Sequence, residues 1–196
     1  MFSTVLSKLP NRSLCLAAVV VALGVSACGS SGGGTSTAKA PDYKQALAGA
    51  PKPLAKLYAQ GDRLVSGGTS AFGSQLGALR GHPVVVNVWA SWCEPCRMEF
   101  PYLQRLSAKY GKRVAFVGVD TNDNDAAART FLAELPLPYP SYTDPNKDIA
   151  QSVGATVGLP DTAYYDASGK PVFVKQGQYA SEGDFAADIK RYALGG

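Results

Sequence analysis

The tightest constraint on this chain lies between Val84 and Gly111. Val84, Val85, Val86, Asn87, Val88 and Trp89 form a nearly continuous β-branched and apolar run. Such a run suits a strand covered on both faces, because a half-exposed strand would alternate. After Ala90, Ser91 and Trp92 comes Cys93-Glu94-Pro95-Cys96, and then Phe100, Leu103, Leu106 and Tyr110 recur at three- and four-residue spacing. That is the period of a helix with one buried face, and Gly111 is its stop signal. Pro95 suits the first turn, where a missing N–H costs nothing. Pro101 falls inside the helix and should kink it.

A Cys-x-x-Cys at the junction of a buried strand and a helix has a chemical consequence. Unpaired N–H groups and the positive end of the macrodipole gather in the first turn, so a thiolate at Cys93 is stabilised. In such settings thiol pKa values fall from ~8.5 to roughly 3.5–7.5, and the thiolate is the attacking species. Cys96, one turn on, can attack the mixed disulfide that Cys93 forms and release the reduced partner. Structural zinc needs four ligands, and only His82 and plausible carboxylates accompany the pair. Haem attachment requires His after the second Cys, and Arg97 stands there. Copper has less against it, although His82 is eleven residues upstream and no Met motif accompanies it. A purely structural disulfide across so small a loop stabilises little.

The rest of the chain, 196 residues in all, fits one domain better than two. Hydrophobic residues at 46% and charged residues at 17% exclude a disordered chain. Val114 to Val119 reads as a second strand. Asp125 to Leu135 reads as a helix with Asp125 as N-cap. Thr162–Tyr165 and Val172–Lys175 read as a hairpin around the turn Asp166–Lys170. Ser181 can cap a last helix carrying Phe185, Ile189 and Tyr192. Before the central strand, a short helix is expected between Pro53 and Gly61 with Gly67-Gly68 as stop, then a weak amphipathic piece at Phe72, Leu76 and Leu79. A right-handed βαβ unit, a linking helix, a hairpin and a final helix are the parts of a thioredoxin fold, an α/β class with a central mixed sheet flanked by helices.

The first residues read as a leader. Lys8 and Arg12 precede an uncharged stretch, Leu14 to Val25, too short to span a bilayer and suited to a signal peptide over 1–27. Val25-Ser26-Ala27-Cys28 resembles a bacterial lipobox, which implies acylation of Cys28; ordinary cleavage near Ala27 is the alternative. The Gly/Ser/Thr stretch after it makes a flexible lipid-anchored tether over 28–41. A helical N-terminal extension is expected over 42–71 and the thioredoxin-like domain over 72–196. Removing the leader leaves 17 basic against 15 acidic residues, and no basic run marks nucleic-acid binding.

The segment VVVNVWASWCEPCRMEFP, together with Val117-Gly118-Val119-Asp120, Gly158-Leu159-Pro160-Asp161-Thr162 and Asp166-Ala167-Ser168-Gly169-Lys170, resembles the TlpA/ResA-type thioredoxin-like proteins. These form the extracytoplasmic branch of the thioredoxin superfamily. The resemblance implies a redox pair of Cys93 and Cys96, and a cis bond at Pro160 that turns the backbone of Leu159 toward the sulfurs. It implies Trp92 shielding the sulfurs, with Trp92, Pro95, Leu159 and Pro160 meeting substrate. Cytoplasmic thioredoxins carry a buried Asp six residues before the first Cys; Asn87 stands there and cannot titrate. Glu99 matches a Glu that this branch places near its disulfide, and it would assist deprotonation of Cys96 directly or through water; a solvated surface Glu is the competing reading. Arg97 would lower the Cys93 pKa or would simply be an exposed helix residue.

These features predict a membrane-anchored extracytoplasmic thiol-disulfide oxidoreductase acting on protein thiols and disulfides. The expected direction is reduction, as in cytochrome c maturation, with electrons from a membrane thiol partner. No metal or cofactor beyond the disulfide is expected. An oxidase of secreted proteins and a non-catalytic binding lipoprotein are the alternatives.

Overall fold

The computed structural model describes residues 39–196, so the leader, Cys28 and the tether up to residue 38 lie outside the described residues. Two short helices come first, α1 (Tyr43–Ala46) and α2 (Lys52–Tyr58), followed by strand β1 (Leu64–Val65) and helix α3 (Gly68–Ala78). The central segment is β2 (Val84–Trp89), α4 (Glu94–Tyr110), β3 (Ala115–Thr121), α5 (Asp125–Glu134) and β4 (Ser141–Asp144). Helix α6 (Asp148–Ser152), the hairpin β5 (Asp161–Tyr165) and β6 (Pro171–Gln176), and α7 (Glu182–Asp188) complete the chain, with a wider π turn over Ile189–Ala193. Among the described residues no helix is long and apolar enough to cross a membrane.

The six strands form one sheet in the order β1-β4-β3-β2-β5-β6. The pairs β1·β4, β4·β3 and β3·β2 are parallel, whereas β5 runs antiparallel to β2 and to β6. Helices cover both faces, and the architecture is the expected thioredoxin fold. Every residue of β2 and β3 is buried, as the unbroken Val-rich run requires. On one face Val85, Trp89 and Phe116 pack against Phe100 and Leu103 of α4, Phe131 of α5 and Phe185 of α7. On the other, Val84, Val86, Val88, Val117 and Val119 pack against Leu54 and Leu57 of α2, Phe72 of α3 and Ile149 of α6.

An aromatic triad supports the active end of the sheet. Trp89 lies 5.2 Å from Phe100 and 5.0 Å from Phe131, and those two rings stand 4.6 Å apart edge to face. The Trp89 Nε1–H donates to Ser141 Oγ at 3.1 Å across the sheet. Gly118 makes room for that hydroxyl, because a Cβ there would collide with Ser141. Gly111, at the end of α4, is demanded by space for the same reason: a Cβ would run into Ser107 and Leu47.

Several local expectations need correction. Asn124, not Asp125, caps α5, its side chain accepting from Ala127 N–H at 2.9 Å. Gly67-Gly68 does not stop the preceding helix; both residues have positive φ and open α3. The helix expected between Pro53 and Gly61 is α2 and ends at Tyr58. Leu64-Val65 pairs with β4, so the stretch read as purely helical also supplies an edge strand. A single linking helix is also corrected: α5 leads into β4, and α6 makes the link to the hairpin.

Candidate active site

Cys93 lies three residues beyond Ala90 in the loop that leaves the carboxyl end of β2, the end of parallel strands where sites are built. It is the N-cap of α4, and its Sγ accepts the Cys96 N–H at 3.1 Å. The two sulfurs are bonded, S–S 1.97 Å with χ3 of 81° and Cα–Cα 5.2 Å. Pro95 sits in the first helical turn as its chemistry allows. A backbone N–H aimed at Cys93 Sγ and the positive helix end would both favour a thiolate there once the bond is reduced. His82 precedes the opposite end of β2 and belongs to a different part of the surface.

The register of β2 against β5 brings the second segment alongside. Val88 pairs with Asp161, so Pro160 lies next to the strand end that carries Cys93. The Leu159–Pro160 bond is cis. Between Trp92 and Leu159 runs a shallow groove of about 160 Å³, also lined by Asn122, Lys147 and Val157. Four large apolar side chains are well exposed among the described residues. Val157 at 80% and Trp92 at 60% line this groove, and Met98 at 52% sits two residues past Cys96. The fourth, Val172, lies apart on β6, so two of the four line one groove and a third is close in sequence to the Cys-x-x-Cys, the pattern of a contact patch. The structure places Trp92 on this exposed rim, its Nε1–H donating to Asn122 O at 3.0 Å.

Glu99 lies in the core, only 1% exposed, which excludes the solvated-surface reading. Its Oε2 accepts the Tyr179 N–H at 2.8 Å, while Oε1 has no partner among the described residues. Burial pushes its carboxyl up to about 7; the Tyr179 N–H and the Lys175 ammonium oppose that rise and Asp161 adds to it. Lys175 Nζ donates to Gln176 O at 2.6 Å and Gly177 O at 3.1 Å. Asp161 Oδ1 accepts the Gly177 N–H at 2.9 Å, and burial raises its carboxyl as well. Asn87 is buried at the position where cytoplasmic thioredoxins carry Asp, and its amide has no partner among the described residues. Arg97 is turned elsewhere: its guanidinium donates to Glu134 at 2.8 Å and lies 4.5 Å over the Phe131 ring.

Sequence reasoning passed over Asp161, Lys175 and Tyr179 as partners of Glu99. It also passed over the carboxylate of Asp123, which accepts from both Ser91 N–H and Ser91 O–H. Asp161 follows Pro160 directly, which was the one available signal. Tyr179 is 80 residues from Glu99 and leaves no local trace.

The site can carry out dithiol–disulfide exchange: a helix-capping sulfur, a second sulfur one turn behind, a buried carboxyl near neutrality and an apolar rim. Comparison with known proteins points the same way. A family model described as Redoxin matches residues 38–189. The thiol:disulfide interchange protein DsbE of Pseudomonas fluorescens biotype C is 40% identical over 92 residues, covering 46% of this chain and 49% of that protein. The thiol-disulfide oxidoreductase ResA of Bacillus thuringiensis subsp. konkukian (strain 97-27) is 29% identical over 109 residues, covering 55% of this chain and 62% of that protein. The matches thus span only about half to three-fifths of these relatives. Among solved structures, a thioredoxin-family thiol:disulfide interchange protein from Chlorobium tepidum TLS superposes with a TM-score of 0.54 at 25% identity, covering 60% of this chain and 83% of that one.

Proposed function

We propose, from the premise that this chain belongs to the Redoxin family, that it is a thiol-disulfide oxidoreductase of the DsbE/ResA kind. The observation that carries this reading is the Cys93–Cys96 disulfide capping α4 beside the Leu159–Pro160 segment. In the reductive direction the Cys93 thiolate attacks one sulfur of a protein disulfide. A mixed disulfide forms and the other substrate sulfur leaves as a thiolate. Cys96 then loses its proton and attacks Cys93 Sγ, giving the Cys93–Cys96 disulfide and a second substrate thiol. The substrate gains two electrons, and a reduced thiol partner must restore the pair.

Glu99 is suited to the proton at Cys96. A carboxyl held near 7 exchanges protons at neutral pH, where an ordinary Glu would remain ionised. Asn87 cannot take that part. The groove lined by Trp92 and Leu159 would receive an extended substrate segment, with Pro95 in the first turn of α4 and Pro160 beside the end of β2 as further contacts.

The finer reading is a reductase at the outer face of a bacterial membrane, tethered through an acylated Cys28 and supplied by a membrane thiol donor. Its support is the leader pattern ending at Cys28 and the likeness to DsbE and ResA. The test is a Cys96→Ser variant, which should accumulate mixed disulfides on Cys93 with protein partners; a trap that collects none counts against exchange. A pair potential near ~−270 mV or lower supports the reductive direction, and one near ~−120 mV overturns it. Cys28→Ala should move the protein from the membrane to the soluble fraction.

A further inference from the structure

We infer that Asp123 is a positioning residue for disulfide exchange, clasping the Ser91–Trp92 loop so that Trp92 forms a fixed wall of the substrate groove; the inference rests on the exchange reading above. Three contacts build the clasp. Asp123 Oδ2 accepts the Ser91 backbone N–H, and Oδ1 accepts the Ser91 hydroxyl at 2.9 Å. Oδ1 also accepts the Asn124 N–H at 2.8 Å, which ties the carboxylate to the start of α5. From the same loop Asn122 O takes the Trp92 Nε1–H at 3.0 Å. The loop after β3 therefore grips the two residues immediately before Cys93, by backbone, hydroxyl and indole.

The shape of the loop serves this grip. Asn122 has φ of 53°, a left-handed conformation that Asn tolerates better than most residues. Its backbone N–H is fixed by Asp144 O at 3.0 Å at the end of β4. Asp120, at the end of β3 and in register with Trp89, is buried beside Asp123. Burial, together with Asp123, Asp125 and Asp144, raises its carboxyl to about 8. A raised Asp120 carboxyl lessens the negative charge packed against Asp123. Trp92 and Leu159 both line the groove, so fixing Trp92 fixes part of the surface that a substrate segment would meet. Misplacing a docking wall by an ångström can cost as much as about 100-fold in rate.

The test compares wild type with Asp123→Ala, Asp123→Asn and Ser91→Ala in three measurements. Iodide quenching of tryptophan fluorescence reads Trp92 selectively, because Trp92 is 60% exposed and Trp89 is fully buried. Dithiothreitol-driven reduction of insulin reads exchange with a protein disulfide. Iodoacetamide labelling of Cys93 in the reduced protein, resolved by mass, reads the thiol without the groove. Asp123→Ala should raise quenching about twofold and slow insulin reduction about tenfold, with Cys93 labelling within about twofold of wild type. Asp123→Asn, which keeps one acceptor oxygen, and Ser91→Ala, which loses only the hydroxyl bond, should fall between and serve if the alanine variant fails to fold. Quenching equal to wild type in all folded variants overturns the clasp, as does an unchanged ratio of insulin rate to labelling rate. Should wild type itself leave insulin intact, the exchange reading falls, and quenching still decides whether Asp123 holds the loop.

Discussion

Glu99→Gln offers the sharpest test of the buried carboxyl. Glu99 is 1% exposed and its carboxyl is moved from an ordinary 4.5 to about 7. The native state therefore holds a proton that the unfolded chain has already released between those two pH values. Stability must fall as pH rises through that interval, because the native state binds more protons than the unfolded one. At about 1.4 kcal/mol per tenfold change in proton affinity, the loss amounts to about 3 kcal/mol by pH 8. Gln cannot titrate, so the variant lacks this component. The Tyr179 N–H keeps an acceptor in the Gln amide oxygen, while the added NH₂ adds a pH-independent cost of about 1–3 kcal/mol if it finds no partner. Urea unfolding of the disulfide-intact protein at pH 4.5 and pH 8 isolates the pH-dependent part. The stability difference, variant minus wild type, should shift by about 3 kcal/mol in favour of Gln at the higher pH. A difference independent of pH would refute the placement of Glu99 as a carboxyl whose proton affinity burial raises.

Two further outcomes follow from the same geometry. Gly118→Ala drives a Cβ into Ser141 and displaces the Trp89 Nε1 partner, so urea unfolding should show a loss of about 1–3 kcal/mol. Lys175→Met removes a positive charge that lowers the Glu99 carboxyl, so the Glu99 carboxyl signal in NMR should titrate at higher pH than in wild type. No movement, or movement downward, contradicts the ion's place in that cluster.

The catalytic half of the fold was legible because local signals agreed there. The Val84–Trp89 run, the Cys-x-x-Cys and the helical period up to Gly111 each specify the same junction, and β2 and α4 lie where that pattern predicts. The hairpin turn at Asp166–Lys170 carried its own chemistry, with Asp166 accepting from the Ser168 and Lys170 N–H groups. Strand β4 was hidden. Ser141-Tyr142-Thr143-Asp144 is short, largely polar and bracketed by Pro140 and Pro145. It is a strand because β3 and β1 pair with it, which is a tertiary fact. The cap of α5 was misplaced by one residue since Asn124 and Asp125 are equally good caps by composition. Around the sulfurs, residue types were readable and their partners were not. Glu99 sits on the inward face of α4, but the burial that raises its carboxyl, and the Tyr179, Lys175 and Asp161 groups that oppose or add to that rise, come together only on folding.

The central claim is that Cys93, held at the mouth of α4, is an anion near neutral pH once reduced. Following iodoacetamide labelling of the Cys93 peptide against pH in the fully reduced protein measures this directly. The account predicts half-maximal reactivity within roughly pH 3.5–7.5. A midpoint at or above ~8.5, the value of a free thiol, contradicts it.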